Sequence, residues 1–412
     1  MMMSSSRAMT MGNSRGLSIS SIIIFFTAIA CQLTDVALGP VKVWELMAIS
    51  LFPFFIRRIE TKLLVFLVVF VLLMLLSLFK GATTEVYFSN YGGLKSKYVI
   101  SLVRFVELVL CLVVACLPFN FYRNTGLSYT DIVRKFLNYN AIILLGIFAL
   151  FMVDVAAGSK LVSYGPTHRM RGFYVEGGPY GLYISTLLLL ELMFLKRKLV
   201  LALFAVALLL SQSKAGIVGA AVFGFLALTF RYPFLRSFIN PKNMFRFSTL
   251  MLVGVLLGGA VMYKVAENYV NDLSNLNEVL TLRGNDPSLV MGRIAATYIG
   301  PNIIADNPYI GVGLGAYSLV RNNSEYRGPF PVVPGWDLTG LGGFFNLMIE
   351  NGAIGVILFL IATIRYFKFN EMGMVFFVLF VLPFLLGAQL YMVYPWLYLG
   401  FYSVYRREMT NE

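Results

Sequence analysis

One short polar segment holds most of the side chains in this sequence that could bind a phosphate group. It contains the single histidine of the chain, His168, followed by Arg169, Arg171 and Glu176. Two closely spaced arginines suit a phosphate or pyrophosphate, because each guanidinium pairs with two oxygens and keeps its charge. Two other roles stay open, since the arginines could bind lipid head groups or pair with Glu176. A single histidine excludes a metal site built from several histidines.

A second basic position lies in a tight polar turn between two apolar runs. Lys214 follows Ser211 and Ser213 in this turn. It is a candidate for binding the same anionic ligand. The alternative is that its ammonium group only reaches out to the membrane interface.

The longest polar stretch, 264–341, supplies the remaining candidates. Arg293 opens an apolar-periodic segment that is predicted to be a short helix. The candidates for substrate binding in this stretch are Tyr298, Arg321, Arg327 and Asp337. Aromatic rings beside acidic residues are common where proteins bind sugars, and they are equally common in the aromatic belt of membrane proteins.

Glycines and intramembrane charges mark further positions. The segment Gly311 to Gly315 has no phosphate-loop spacing and follows no predicted strand, so it indicates a tight loop with close backbone packing. Glu350 falls inside an apolar run, where a carboxylate is costly and is usually functional or paired. Arg104 and Glu107 lie three residues apart in another such run and are predicted to form an ion pair.

The composition is that of a membrane protein. Of the 412 residues, 58% are hydrophobic and only 13% are charged, whereas a soluble domain carries roughly a quarter of charged residues. A membrane helix needs about 20 mostly apolar residues. The sequence therefore predicts an all-α polytopic membrane protein with about twelve transmembrane helices. The predicted spans are 17–34, 38–56, 63–79, 98–119, 138–157, 179–195, 199–212, 215–230, 247–263, 342–364, 372–390 and 392–405.

The distribution of basic residues predicts the orientation. With the N-terminus inside, 19 of the 33 basic residues fall in cytoplasmic segments, 12 fall in outer segments, and Lys42 and Arg104 lie within spans. This topology accounts for much of the net charge of +13 without a nucleic-acid partner. We expect both termini to be cytoplasmic, a transmembrane bundle over 1–263, a folded outer loop over 264–341, and C-terminal transmembrane helices over 342–412. A shorter outer loop covers about 158–178.

These segments together resemble the O-antigen polymerase and ligase superfamily of bacterial polysaccharide assembly. Arg169 to Gly172 match its Arg-x-x-Gly segment, and the serine turn follows with Lys214 where arginine is commoner. The matching positions farther along are Arg293, Tyr298, Pro308 to Gly313, and Glu350 to Gly355. The lipid A–core ligases of this superfamily carry a His-Asn pair nine residues before that glutamate. Leu341 and Gly342 stand there instead, which favours a Wzy-type polymerase.

The resemblance implies a GT-C-like helical fold in the bacterial inner membrane and a glycosyltransfer at its periplasmic face that needs no metal or cofactor. The donor would be a glycan on undecaprenyl pyrophosphate, and the acceptor a repeat unit on the same lipid. The implied partners are these lipid-linked oligosaccharides, membrane lipids and a chain-length regulator, with no nucleic acid. We assign Arg169, Arg171 and Arg293 to the phosphates, with Lys214 in support. Glu176 is the first candidate for the base, ahead of Asp337 and His168.

Other functions are compatible with parts of the pattern. About twelve spans are also common in transporters and lipid flippases, but those proteins place charges near the middle of the membrane and show two similar halves. Here the candidate residues concentrate at one outer face, and the halves differ. An O-antigen ligase and a peptidoglycan-type polymerase are nearer alternatives, whereas a membrane scaffold would not need arginines clustered in an outer loop.

Overall fold

A computed structural model provides the structure of most of the chain. The residues that it describes are 14–39, 41–55, 60–84, 96–165, 168–232, 271, 273–283, 286–334, 337 and 339–411. The predicted span 247–263 lies outside these residues.

Helices make up most of the described structure, and two hairpins of two-residue strands interrupt them. The larger helices are α1 (Ser14–Gln32), α2 (Val43–Phe55), α3 (Leu64–Gly81), α4 (Lys97–Thr125), α5 (Tyr129–Ala157), α6 (Gly177–Leu190), α7 (Lys198–Ser211), α8 (Lys214–Arg231), α9 (Leu276–Arg283), α11 (Arg293–Asp306), α14 (Gly343–Tyr366), α15 (Glu371–Leu385) and α16 (Val393–Asn411). The short helices are α10 (Pro287–Val290), α12 (Tyr317–Val320) and α13 (Ser324–Arg327). The strands are β1 (Ala37–Leu38), β2 (Val41–Lys42), β3 (Ser163–Tyr164) and β4 (Arg169–Met170).

Within the described residues, five helices are long and apolar enough to cross a membrane. They are α3 with the 3₁₀ turn before it (Thr61–Gly81), α4, α5, α6 with the π turn after it (Gly177–Leu195), and α14. Five shorter apolar helices lie in α1, α2, α7, α8 and α15. These helices are consistent with the predicted all-α membrane protein. The number of about twelve spans and the GT-C-like arrangement stay predictions.

The loops that the charge pattern places on the outer side of the membrane meet at one end of the helix bundle. We call this end the outer end. The Val175 N–H donates to the Asp35 carboxylate at 3.0 Å, which joins the α1–α2 connection to the loop after α5. Arg169 donates to the Gln212 carbonyl at 3.0 Å, which joins that loop to the α7–α8 turn. These contacts agree with the predicted topology, in which successive spans cross the membrane in opposite directions and these loops share one side.

Connections predicted to be cytoplasmic meet at the opposite end. Arg406 of α16 forms an ion pair with Glu60, which precedes α3. The main-chain N–H of Tyr129 at the start of α5 donates to the Glu408 carboxylate at 2.8 Å. The side of the membrane that each end faces stays a prediction.

An aromatic cluster fills the interior between α3, α14, α15 and α16. Trp396 lies fully buried with its ring centroid 5.1–6.0 Å from the rings of Phe66, Phe359, Phe380 and Phe384. Edge-on aromatic pairs of this kind stabilise by about 0.5–1.5 kcal/mol each beyond burial. The cluster therefore holds α14, the helix that carries Glu350, in a fixed position.

Helix α14 is broken near its outer end, at Gly352. This residue has φ 62° and ψ −164°, a combination that is open essentially only to glycine. The break frees main-chain groups of a membrane-crossing helix. Such groups must find protein partners, because the hydrocarbon core of the membrane offers none.

The outer segment Pro308–Gly313 supplies those partners, and we call this contact the backbone joint. Gly311 packs so closely that an added Cβ would collide with the carbonyl carbon of Glu350. The four hydrogen bonds of the joint are Ala353 N to Pro308 O at 2.8 Å, Ile354 N to Tyr309 O at 3.1 Å, Val312 N to Ile349 O at 3.1 Å, and Gly313 N to Glu350 O at 2.7 Å. The two glycine-containing segments of the sequence are thus the two halves of one contact.

The described part of the predicted outer loop has its own apolar core. Its buried side chains come mostly from α10, α11 and α12, with Ile349 of α14 among them. We call this unit the outer subdomain. The predicted boundaries at 264 and 341 stay predictions.

Replacing Gly352 by Ala is expected to lower stability by about 1–3 kcal/mol or more, because the new Cβ would need a disfavoured conformation and would collide with the Tyr309 carbonyl group. The matched control is Gly146→Ala in α5, where an added Cβ meets nothing within 4 Å. Thermal unfolding of the two purified variants in detergent tests this. Equal melting temperatures would show that the joint does not constrain the helix.

Candidate functional site

Arg293 and Glu176 meet where the outer subdomain contacts the start of α6. Arg293 is the first residue of α11, and its Nη2 lies 3.7 Å from a carboxylate oxygen of Glu176. The same nitrogen is 3.3 Å from the position that a Cβ on Gly178 would occupy. The two side chains are 43% and 57% exposed, so a ligand from outside can reach both.

Contacts of the neighbouring main chain fix the orientation of Arg293. Its Nε donates to the Gly340 carbonyl at 3.0 Å. The preceding Gly292 N–H donates to the Asp337 carboxylate at 2.8 Å, which holds the first turn of α11. A neutral carbonyl therefore orients the guanidinium, and its ion pair with Glu176 is exposed, so it compensates the charge only in part.

Arg169 reaches the same region from another loop. It lies on β4 opposite Tyr164 of β3, and its guanidinium sits 5.0 Å over the Tyr164 ring. Its Nη2 donates to the Gln212 carbonyl at 3.0 Å. Burial raises the pKa of Tyr164, whereas the charges of Arg169 and Arg293 lower it. Tyr164 thus lies within the electrostatic reach of both arginines.

The serine turn fixes α8 against α6. The Ser213 hydroxyl accepts from the Gly216 N–H at 2.8 Å, which caps α8, and donates to the Gly178 carbonyl at 2.9 Å. Lys214 follows as the first residue of α8 and is exposed. The turn therefore places Lys214 near the start of α6 without burying it.

We call this region the arginine site. It consists of Arg169, Arg293, Glu176, Tyr164 and the first turn of α6. Two separate chain segments supply it, the loop before α6 with the first turn of that helix and the start of α11, and the sequence had singled out both. A helix N-terminus favours anions, because its first N–H groups point outward and its dipole is positive there. With two guanidinium groups beside it, this arrangement suits a phosphate or pyrophosphate.

Arg171 and His168 lie in the same hairpin but have different surroundings. Arg171 donates to the carbonyl oxygens of Val175 at 3.2 Å and Lys160 at 3.1 Å, both in its own loop. It therefore supports the loop in this structure. His168 has φ 45° in the hairpin turn, and its buried Nδ1 has no hydrogen-bond partner among the described residues.

The four remaining candidates lie inside the outer subdomain. Arg321 and Asp337 are almost fully buried and form an ion pair at 2.5 Å, and Arg321 also donates to the Val290 carbonyl. Arg327 donates to the Phe330 carbonyl at 2.7 Å, and the Tyr298 ring packs on Phe330. These contacts assign the four side chains to the architecture of the subdomain. Asp337 also holds the helix end that carries Arg293.

A buried charge cluster, which the sequence revealed only in part, lies beside the arginine site. The predicted ion pair between Arg104 and Glu107 is confirmed at 2.5 Å, and Lys42 joins it at 3.0 Å from Glu107. The Arg104 guanidinium lies 4.0 Å from the centre of the Tyr391 ring. Charged residues within predicted spans were the available signal for this cluster, but their spacing could not identify Lys42 or Tyr391 as partners.

Asp35 connects the charge cluster to the arginine site. Its carboxylate accepts from the Val175 N–H, next to Glu176 in the chain. Burial raises the pKa of Asp35, the hydrogen bond and Lys42 lower it, and Glu176 and Glu107 raise it. Asp35 therefore lies close enough to both groups for their charges to change its pKa. In the part of the chain that the structure covers, no group of three His, Cys, Asp or Glu side chains is placed to hold a metal ion.

The fold and the site together define a helical membrane protein with a cationic site at one end of its bundle. Residues 199–360 match a family model described as O-antigen ligase, and this match confirms the resemblance to the O-antigen ligase and polymerase superfamily. The matched segment contains Lys214, Arg293 and both halves of the backbone joint. Members of this family are glycosyltransferase-like enzymes that act on lipid-linked polysaccharides. No curated protein matches the chain.

Replacing Arg321 by Met should destabilise the outer subdomain, because the buried Asp337 would lose its cation. Removing one partner of a buried pair costs about 3–5 kcal/mol. Arg327→Met, which removes a half-buried cation bound to one carbonyl, is the control and should cost less. Limited proteolysis of membranes measures this: faster cleavage within 271–341 is expected for Arg321→Met only. Equal protection of both variants would show that the ion pair is not needed for the fold.

Proposed function

We propose that the protein is a surface-polysaccharide polymerase of the Wzy type. It transfers a growing glycan from undecaprenyl pyrophosphate to a repeat unit on the same lipid, at the periplasmic face of the bacterial inner membrane. Both termini are cytoplasmic in this proposal. The observation that supports it most is the arginine site, which two chain segments form at the outer end of a helical membrane protein that resembles this superfamily.

The leaving group explains why such a site is needed. Breaking the bond between the sugar and the pyrophosphate leaves negative charge on phosphate oxygens. Fixed cationic donors stabilise that charge in the transition state, without a metal ion or a cofactor in this scheme. Arg169 and Arg293 bind the phosphates, Lys214 supports them from the rim, and the first turn of α6 adds its dipole. Arg171 and His168 contribute by shaping the loop that carries Arg169.

The acceptor hydroxyl must lose a proton as it attacks the anomeric carbon. Glu176 is our proposed base, because its carboxylate is 57% exposed and lies 3.7 Å from Arg293, beside the leaving group. The proton passes from the acceptor hydroxyl to this carboxylate, and the electron pair of the broken bond leaves with the pyrophosphate. Asp337 is a weaker candidate, because it is buried and already paired with Arg321.

A polymerase is preferred over a ligase because of the residues that precede α14. Leu341 and Gly342 occupy the positions where the lipid A–core ligases carry their His-Asn pair, and Gly342 is the residue before the first turn of α14. An O-antigen ligase remains the second candidate, since the matching family model is described by that activity. A chain-length regulator protein and membrane lipids are the proposed partners.

Arg169→Ala and Arg293→Ala, alone or together, should abolish long-chain polysaccharide and leave the protein in the membrane. Losing one fixed donor to a developing oxyanion lowers the rate by about 10²–10³-fold. The measurement is the ladder of surface polysaccharide on a gel after the gene is deleted in its host and a variant is restored. Arg134→Ala is the control, because this arginine is exposed at the inner end of α5.

The band pattern of the deletion strain separates the candidate functions. A single repeat on the lipid A core, with the ladder restored only by the wild type and the control, supports the polymerase. Polymer that accumulates on the lipid carrier, with none on the core, would identify a ligase. Single lipid-linked units stranded on the cytoplasmic side would identify a flippase. A normal ladder from Arg293→Ala would remove Arg293 from the site.

A further inference from the structure

A small polar pocket lies between the outer subdomain, α4 and α14. It has room for about one water-sized group in this structure. Charged and hydroxyl-bearing side chains from all three units line it, including Arg104, Tyr317, Asp337, Thr339, Asn346 and Glu350. Asp337 entered the proposal for the arginine site only as a weaker candidate for the base, and the other five side chains have no role in it.

Two consecutive residues connect the pocket to the arginine site. Thr339, which lines the pocket, directly precedes Gly340, whose carbonyl accepts from Arg293. Neighbouring Cα atoms are about 3.8 Å apart. The wall of the pocket therefore lies next to the carbonyl that orients Arg293, beside the position proposed for the pyrophosphate.

One side chain in the pocket lacks a partner that it should have. Tyr317 is 3% exposed, and its hydroxyl makes no hydrogen bond to the described residues. Burying an unpaired hydroxyl costs free energy, so native proteins nearly always pair such groups. Tyr317 lines a water-sized space, so a group that enters this space can supply the missing partner.

Glu350 offers a matching acceptor in the same space. It is 8% exposed, and the backbone of Gly315 hydrogen-bonds to its carboxylate. Lys42 and Arg104, the cations of the buried charge cluster, both contact Glu107. A carboxylate has about four lone-pair positions, so Glu350 retains capacity to accept from a ligand. Asn346 hydrogen-bonds Thr339 and Gln389, which fixes this wall of the pocket.

We infer that this pocket binds one hydroxyl group of the saccharide next to the pyrophosphate. Glu350 accepts the hydrogen of that hydroxyl, and Tyr317 donates to its oxygen, which satisfies the donor and acceptor capacity of a hydroxyl. The inference rests on the proposed function and adds a sugar-recognising subsite to it. In this scheme different residues bind the sugar and the pyrophosphate, so a substitution can weaken binding of the sugar alone.

Binding to the purified full-length protein tests this with two probes. One is the lipid-linked repeat unit extracted from the strain that lacks the gene, and the other is undecaprenyl pyrophosphate without sugar. Tyr317→Phe should weaken binding of the repeat unit by about threefold to tenfold, and Glu350→Gln by about tenfold or more. Neither variant should change binding of undecaprenyl pyrophosphate. Arg293→Ala should weaken binding of both probes.

The control is Tyr394→Phe, which removes another buried hydroxyl that has no hydrogen-bond partner among the described residues but does not line the pocket. It should bind both probes as the wild type does. Tyr317→Phe removes no internal hydrogen bond, so we expect it to fold as the wild type does. It therefore tests the subsite even if Glu350→Gln lowers the melting temperature. Unchanged repeat-unit binding by Tyr317→Phe, or an equal loss for both probes, would overturn the subsite. A wild type that binds neither probe would overturn the proposed function itself.

Discussion

The arrangement of the outer end depends on the backbone joint. A membrane-crossing helix cannot break unless the freed main-chain groups find partners, because each unsatisfied group in an apolar medium costs several kcal/mol. The segment Pro308–Gly313 meets this requirement for α14 with four hydrogen bonds. The same bonds attach the outer subdomain to the bundle. The position of Arg293 opposite Glu176, and the pocket beside Glu350, follow from that attachment.

The arginines of the outer end differ in what orients them, and this difference separates ligand binding from architecture. Arg169 and Arg293 donate to carbonyl groups, which do not cancel their charge, and the exposed Glu176 carboxylate at 3.7 Å compensates Arg293 only in part. Arg321 is instead neutralised by the buried carboxylate of Asp337. An arginine held by a neutral acceptor keeps a positive field for an anionic ligand. This criterion supports Arg169 and Arg293 as phosphate-binding residues and assigns Arg321 to the subdomain core.

Apolar runs and short residue spacings in the sequence predicted the structure of the segments in which they lie. The apolar run 98–119 lies within α4, and the spacing of Arg104 and Glu107 predicted their ion pair because residues three apart share a helix face. Pairings across the chain had no comparable signal. Nothing in the spacing could show that Lys42 joins Glu107, or that the two glycine segments contact each other. Burial was also hidden, since Arg321 in a polar stretch resembles a surface residue until the subdomain core is known.

The backbone joint also has a consequence for protein engineering. Its four hydrogen bonds join main-chain atoms on both sides. They therefore require glycine at a few positions but do not depend on the other side chains. An outer subdomain from a homologous protein could therefore be grafted onto this bundle, with the crossover points placed at the joint. Such chimeras would exchange the surface proposed to bind the saccharide while the helix bundle stayed unchanged.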